Sequence, residues 1–506
     1  MRRYIKKQLF ELQVTLLRFF SAIQTSLQRR QYEQAYELLV EFQQALIEIG
    51  NTIEKEEGVE TEAVKDLESI CELLYKIAAN IKTKAVDTWI LQVRKLLSSY
   101  YNHLKYDIQN SKLKVVFFPY KGSMWTSFES IWKAAVQDED CDVSVVPIPY
   151  CDFGSGNHTV KWNYEIDKYP SYVPVISYSE YSLKDEKPDV AFIHNPYDDT
   201  NTLTSVPPEY YSENIKKYVD CLVYSPYFTM GAFTRGKTDA LIFTKGGMYA
   251  DKIIVQSEFV KKIYESYGYD SQKLLDYGSP KADAVIAMGR EQKIPDEWKK
   301  KLAGKKKIIL LNTHWSYFMR GKAYEEQGKS DFAVRYHKEF MKAIEERKED
   351  CGLIWRPHPL MLTAMERRMP EKMEYVRELM ELIQESDYGV IDDTGNYMNA
   401  FACSHALVST YSTLINEYLI TGKPVMIFQT KPTDEGGERS PIDYRKCYFR
   451  FSKAGNMSFE TFLDMVLKGE DPKHEERMKM LKNKSFNNMD GTAGEKIYQY
   501  LRQLYF

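Results

Sequence analysis

Residues 392–428 read D-D-T-G-N-Y-M-N-A-F-A-C-S-H-A-L-V-S-T-Y-S-T-L-I-N-E-Y-L-I-T-G-K-P-V-M-I-F. Two runs in this stretch, Ala406-Leu407-Val408 and residues 424–428, are apolar throughout and too short to be helices. Each follows a segment of helical character, 395–403 and 412–421. Apolar strands alternating with helices predict a parallel sheet joined by crossover helices. The same alternation extends upstream through Ile308-Ile309-Leu310-Leu311, Gly352-Leu353-Ile354-Trp355 and Val390-Ile391, with helical candidates at 331–349 and 363–385. A lysine-rich polar stretch, 296–307, precedes this set. Before it lies another, with runs at 115–118, 143–146, 190–193, 221–224 and 252–255. The chain therefore reads as α/β, with two Rossmann-like lobes at 111–298 and 299–506.

Residues 1–110 have a different period. Leu9, Leu12, Leu16, Phe19, Phe20, Ile23 and Leu27 recur at helical spacing, and a second stripe through Tyr36, Leu39, Phe42, Leu46 and Ile49 ends near Gly50. Two further stripes follow, around Leu67–Leu74 and Trp89–Leu96. An all-α segment of four helices, a bundle or coiled coil, is expected, suited to docking or homo-oligomer formation. The first helix carries Arg2, Arg3, Lys6, Lys7 and Phe19-Phe20, a composition compatible with peripheral contact at a membrane surface.

Composition narrows the function. With 506 residues the chain exceeds what one core usually serves. A formal net charge of -3 argues against a nucleic-acid binder. The 38 tyrosines suit a cleft for polyols, sugars or nucleotides. Seven cysteines without a C-x-x-C pair point to a reducing, cytoplasmic location. No apolar run is long enough to span a bilayer, and the interrupted N-terminal stretch does not read as a signal peptide.

The chemistry concentrates at strand ends of the second lobe, where open parallel sheets bind ligands. Arg356-Pro357-His358-Pro359 follows a strand directly; the prolines stiffen the backbone around His358, and the Arg356 fork suits a phosphate. Ser409, Thr410, Ser412 and Thr413 form a hydroxyl-rich turn before a helix that carries Glu417. Asp392 ends another strand, and His314 ends the first strand of this lobe. In the first lobe Lys121, Gly122 and Ser123 fill the first strand–helix loop, and His194 follows a strand in Phe192-Ile193-His194-Asn195. His103, His158, His337, His405 and His474 lack such a setting and read as structural or surface residues.

Three segments resemble the CDP-glycerol glycerophosphotransferase family, which includes the teichoic acid polymerases. They are R-P-H-P at 356–359, the stretch 392–428, and Y-G-S-P-K-A-D at 277–283. The resemblance covers roughly 112–490 and implies a two-lobed GT-B fold. It also implies transfer of glycerol phosphate from CDP-glycerol to a hydroxyl of a polymer or lipid-linked acceptor, with release of CMP. By position, His358 resembles the family's phosphate-contacting histidine, and Ser412 and Thr413 its phosphate-binding hydroxyl pair. The family's first-lobe W-H-G motif is missing, which makes His194 the substitute base, with Asp198 or Asp199 to orient it, and leaves the acceptor open.

These readings predict in-line phosphoryl transfer, with catalytic His194 and His358 and a substrate site of Arg356, Asp392, Ser409, Thr410, Ser412, Thr413, Glu417, Lys121, Ser123 and His314. No cofactor is expected beyond the donor substrate; Asp392-Asp393 is the one place for Mg²⁺, without a specific metal motif. The alternatives are a CDP-ribitol-dependent transferase, a GT-B glycosyltransferase or epimerase using a nucleotide sugar, and a non-catalytic module of a surface-polymer complex.

Overall fold

The computed structural model describes residues 1–109, 111–153, 159–201, 204–288, 294–325, 331–358, 361–428, 439–451 and 457–506. Pro359 and His158 lie outside the described residues. The chain divides into two compact units, Met1–Lys114 with Glu139–Asp142, and the remainder.

The first unit holds α1 (Arg3–Gln28), α2 (Tyr32–Glu57), α3 (Glu62–Ala79) and α4 (Ala85–Tyr106). Phe20, Ile23, Leu39, Phe42, Leu46, Leu67, Leu74, Val93 and Leu104 fill the shared core. Leu12 and Tyr36, counted in the apolar stripes, face solvent instead. The second helix does not stop at Gly50. Ile49 and Ile53 continue its buried stripe, and it ends at Gly58, whose φ of 89° takes the left-handed turn that a side chain disfavours. Much of the expected basic, membrane-facing cluster is tied inside the bundle. Arg2 bonds Glu56, the Lys6 ammonium donates to the Lys105 and Ile108 carbonyls, and Phe20 is buried against Phe42. Among the described residues no helix is long and apolar enough to cross a membrane.

After the four helices the strands form two six-stranded sheets. The first holds β1 (Leu113–Phe118), β2 (Cys141–Val145), β5 (Val190–Ile193), β7 (Cys221–Tyr224), β8 (Lys252–Ile254) and β9 (Leu274–Leu275), in the order β2-β1-β5-β7-β8-β9. The second holds β10 (Lys307–Thr313), β11 (Cys351–Pro357), β12 (Gly389–Ile391), β13 (Ala406–Ser409), β14 (Val425–Phe428) and β15 (Phe449–Phe451). Its order is β12-β11-β10-β13-β14-β15, and every pairing is parallel. A small antiparallel sheet of β3 (Tyr150–Phe153), β4 (Thr159–Asn163) and β6 (Thr204–Ser205) was not expected, nor were β9 and β15. These strands are short or polar and carry little apolar signal.

The second sheet shows why its strands read as unbroken apolar runs. Ile309, Leu311, Leu353 and Trp355 point into one core, while Ile308, Leu310 and Ile354 point into another on the opposite face. With both faces covered, no polar alternation survives. The helical stretch 363–385 is two helices, Met361–Arg368 and Met373–Glu385, because Pro370 cannot continue the first.

In each sheet the strand order reverses once, between β1 and β5 and between β10 and β13, and it is outside the strand ends at such a point that open parallel sheets place their ligand crevice. The lobes are bonded across the crevice. The Lys281 ammonium meets the Glu417 carboxylate at 3.0 Å with both side chains buried, and the Ala232 N–H donates to the Tyr444 hydroxyl at 3.1 Å. At Gly231 the approach is so close that a Cβ would overlap the Asn416 amide and the Tyr444 hydroxyl. The expected division near residue 299 separates the two sets of strands, but the end of the chain crosses back. Helix Ala493–Gln503 is capped by Asp283, whose carboxylate accepts from the Ala493 and Gly494 N–H groups, and its Tyr498 hydroxyl donates to Asp138.

Candidate active site

The adjoining ends of β11, β10 and β13 bring the second-lobe motifs together. Asn312, near the end of β10, pairs in register with Arg356 on one side and Ser409 on the other. Its amide donates to the Arg356 carbonyl at 2.9 Å. Its side-chain oxygen accepts from the Ser412 hydroxyl at 3.0 Å and lies 3.2 Å from that of Ser409. One buried amide thus spans the switch point and holds the R-P-H-P edge beside the hydroxyl turn.

Two histidines face each other above it. The His314 and His358 rings lie 4.4 Å apart, centroid to centroid. The His358 backbone N–H donates to the Thr313 carbonyl at 2.9 Å, and the His314 backbone N–H to the Thr410 hydroxyl at 2.8 Å. The Ser316 N–H donates to His314 Nδ1, so in the neutral ring Nε2 carries the proton. Burial, with His314 alongside, pulls His358 down to about 4, and burial with Arg320 nearby lowers His314. Both shifts favour the neutral ring. Beneath them His337 is fully buried between the Thr313 and Tyr375 hydroxyls, a structural strut as expected.

Several expected ligand groups are committed elsewhere. The Arg356 guanidinium bonds the buried Asp392 carboxylate at 2.6 Å and the Thr394 carbonyl at 2.8 Å, so it braces the 392–397 loop instead of presenting a free fork to a phosphate. The other Asp392 oxygen accepts from Thr394, which leaves that carboxylate engaged as well. Glu417 is buried and holds Lys281 and the Tyr397 hydroxyl, so its role is to join the lobes. Ser409 and Thr410 are buried scaffold, whereas Ser412 is half-buried and Thr413 exposed at the rim.

The first lobe corrects the base assignment. His194 does follow β5 directly, but it is fully buried, stacked on Phe128 at 4.8 Å. The Tyr120 N–H donates to its Nε2, and its Nδ1 faces the Ser127 hydroxyl, each at 3.1 Å. Burial, reinforced by Lys281 and Lys121, lowers it to about 3. In this conformation both nitrogens are used and neither is offered to an acceptor. Nor is it oriented by an aspartate. Asp198, at a φ of 48°, caps Ser212, and exposed Asp199 pairs with Lys245 at 2.5 Å. Lys121 lies 4.4 Å from the Tyr150 ring centroid, and Ser123 approaches Gly395 of the other lobe.

A family model for CDP-glycerol:poly(glycerophosphate) glycerophosphotransferases matches residues 229–503, more than half of the chain. The chain belongs to this family. It is thus an enzyme of the CDP-glycerol glycerophosphotransferase type. Two solved structures share the fold. One, from Listeria monocytogenes and described as a putative UDP-N-acetylglucosamine 2-epimerase, is 14% identical with a TM-score of 0.51, over 78% of this chain and 97% of its own. The other, a variant of the wall teichoic acid polymerase TagF soaked with CDPG, is 13% identical with a TM-score of 0.50, over 87% and 98%. At such identities they establish the two-lobed GT-B architecture. No curated protein matches the chain.

Sequence reasoning missed two residues of this glycerophosphotransferase, Asn312 and Lys281. Asn312 sits beside His314 in N-T-H-W, and only its register with two neighbouring strands reveals the bridge. Lys281 belongs to the Y-G-S-P-K-A-D segment, which the structure shows to be the junction of the lobes. Besides the Lys281 and Asp283 bonds, the Tyr277 carbonyl accepts from Asn488 at 2.8 Å. Among the described residues no group of three or more His, Cys, Asp or Glu side chains is arranged to hold a metal ion.

Proposed function

We propose that this glycerophosphotransferase passes glycerol phosphate to the terminal hydroxyl of a polyol-phosphate polymer or its lipid-linked primer, and that the His314–His358 pair with Ser412 and Thr413 holds the donor's diphosphate. The observation that carries this is the Asn312 bridge, which places imidazole and hydroxyl donors from separate strands at one switch point. The acceptor oxygen attacks the phosphorus bearing glycerol, the bond to CMP breaks, and the acceptor proton leaves to a base. His314 Nε2–H is set to donate to a phosphoryl oxygen, while neutral His358 can donate to phosphate or accept a proton. The family's named poly(glycerophosphate) product supports glycerol over ribitol in the donor. The seven free thiols fit a cytoplasmic enzyme, peripheral at the inner membrane face where its acceptor is lipid-linked.

The test is CMP release by the full chain from CDP-glycerol, run beside UDP-sugars with UDP release as the readout. CMP from the first and none after His358→Ala, with an unchanged melting temperature, supports the assignment. UDP release without CMP release overturns it.

A further inference from the structure

The first lobe contains a cation that the donor site does not use. Lys121 ends the β1 edge of the crevice, next to Tyr120, whose N–H bonds His194 across the first-lobe switch point. Its ammonium lies over two aromatic faces, 4.4 Å from the Tyr150 centroid and 5.6 Å from that of Tyr120. The two carboxylates that act on it through space are both occupied. Glu165 accepts from the Tyr150 hydroxyl at 2.6 Å and from the Gly122 N–H at 2.9 Å, and Asp152 accepts from the Asn163 amide at 2.7 Å. Among the described residues no carboxylate forms an ion pair with Lys121, although the side chain is half-buried. Burial of a charge without a partner is costly and lowers its basicity, the direction found here. The ring faces attract a cation without supplying the charged oxygen partner that a phosphodiester would. The position is also near the interlobe boundary, because the Cβ of Ser123, two residues on, lies 4.0 Å from where a side chain at Gly395 would begin.

Resting on the proposed transfer reaction, we infer that Lys121, in its Tyr120–Tyr150 cage, is the anion-recognising residue of the acceptor subsite, taking the phosphodiester next to the acceptor's nucleophilic hydroxyl. A growing polyol-phosphate chain carries such an anion one unit from its end, whereas a neutral polyol carries none. The lysine therefore selects a phosphodiester-bearing acceptor over a neutral one, while the histidine pair of the other lobe holds the donor. The aromatic walls pack the polyol carbons.

The experiment measures CMP release from CDP-glycerol with two probe acceptors, glycerophosphoglycerol and neutral diglycerol, for the full-length wild type, Lys121→Met and Lys121→Arg. Wild type should favour the phosphodiester. Lys121→Met should raise the KM for glycerophosphoglycerol by about ten- to a hundredfold, the loss expected for a charge-assisted hydrogen bond. The KM for CDP-glycerol should stay unchanged, the loss with diglycerol should be much smaller than that with glycerophosphoglycerol, and Lys121→Arg should restore part of the preference. Equal losses with both acceptors, a raised KM for CDP-glycerol or a preference retained in Lys121→Met would each overturn the inference. If the wild type releases CMP with neither probe, the transfer reading fails. Calorimetric binding of glycerophosphoglycerol to wild type against Lys121→Met then decides the subsite separately, with equal affinity refuting it.

Discussion

The Lys281–Glu417 pair gives the most direct measure of how the lobes are held. Its charges are 3.0 Å apart, with side-chain exposures of 6% and 5%. At an effective dielectric of 20, their attraction is about 5 kcal/mol, much of it offset by the loss of hydration. Removing one partner strands the other. Lys281→Met leaves the Glu417 carboxylate with the Tyr397 hydroxyl, and Glu417→Gln leaves the ammonium with neutral partners, among them the Tyr227 carbonyl 2.7 Å away, and no opposing charge. Each single change should cost about 3–5 kcal/mol. The double variant removes both charges and keeps a hydrogen-bonding amide for Tyr397, so its loss should be well below the sum, with a coupling of about 2–3 kcal/mol. Urea unfolding of the four proteins under one set of conditions reads these differences. Because the pair joins the two crevice walls, the single variants should also raise the KM for CDP-glycerol. Single losses below about 1 kcal/mol, or a double loss equal to their sum, would refute the idea that this ion pair fastens the lobes.

Asn312→Ala removes the bridge between the R-P-H-P edge and the hydroxyl turn; leaving its buried partners unsatisfied should cost about 1–3 kcal/mol in unfolding experiments and lower kcat more than Ser412→Ala does. Gly231→Ala overpacks the contact with Asn416 and Tyr444 and should destabilise the protein by about 1–3 kcal/mol, while Gly236→Ala, at a position with open space, measures only the backbone strain of its φ of 84°. His194 and His337, both lowered to about 3 by burial, stay neutral in the native state while the unfolded chain protonates near 6.5. Stability should therefore be full above pH 6.5 and fall steadily as pH drops from there to about 3, read as a falling urea midpoint. His194→Ala should lower that midpoint strongly even at about pH 7, because a packed ring is lost; an unchanged midpoint with abolished turnover would instead return His194 to the base role.

The second lobe was legible because its strands are buried on both faces. Runs such as Ile308-Ile309-Leu310-Leu311 are what a strand covered on both faces requires, and polar strand-end residues stand out against them. His358 and the hydroxyl turn were singled out in that way. The roles of Arg356, Asp392, Glu417 and His194 were not legible, since an arginine or histidine at a strand end looks the same whether its partner is a ligand or another buried side chain. The small sheet around Tyr150 gave little signal, because its strands are short and mixed in polarity.

By itself, the sequence determined the elements and their class. Hydrophobic period is a local property, and it separates four amphipathic helices from two sets of buried strands. Tertiary structure alone decided strand order, and with it which strand ends meet. Asn312 becomes a bridge only because β11 and β13 flank β10. Lys281 becomes an interlobe cation only because Glu417, far along the chain, is buried against it. Pairing between residues distant in sequence depends on which arrangement satisfies every buried charge and amide at once, and no local pattern carries that condition.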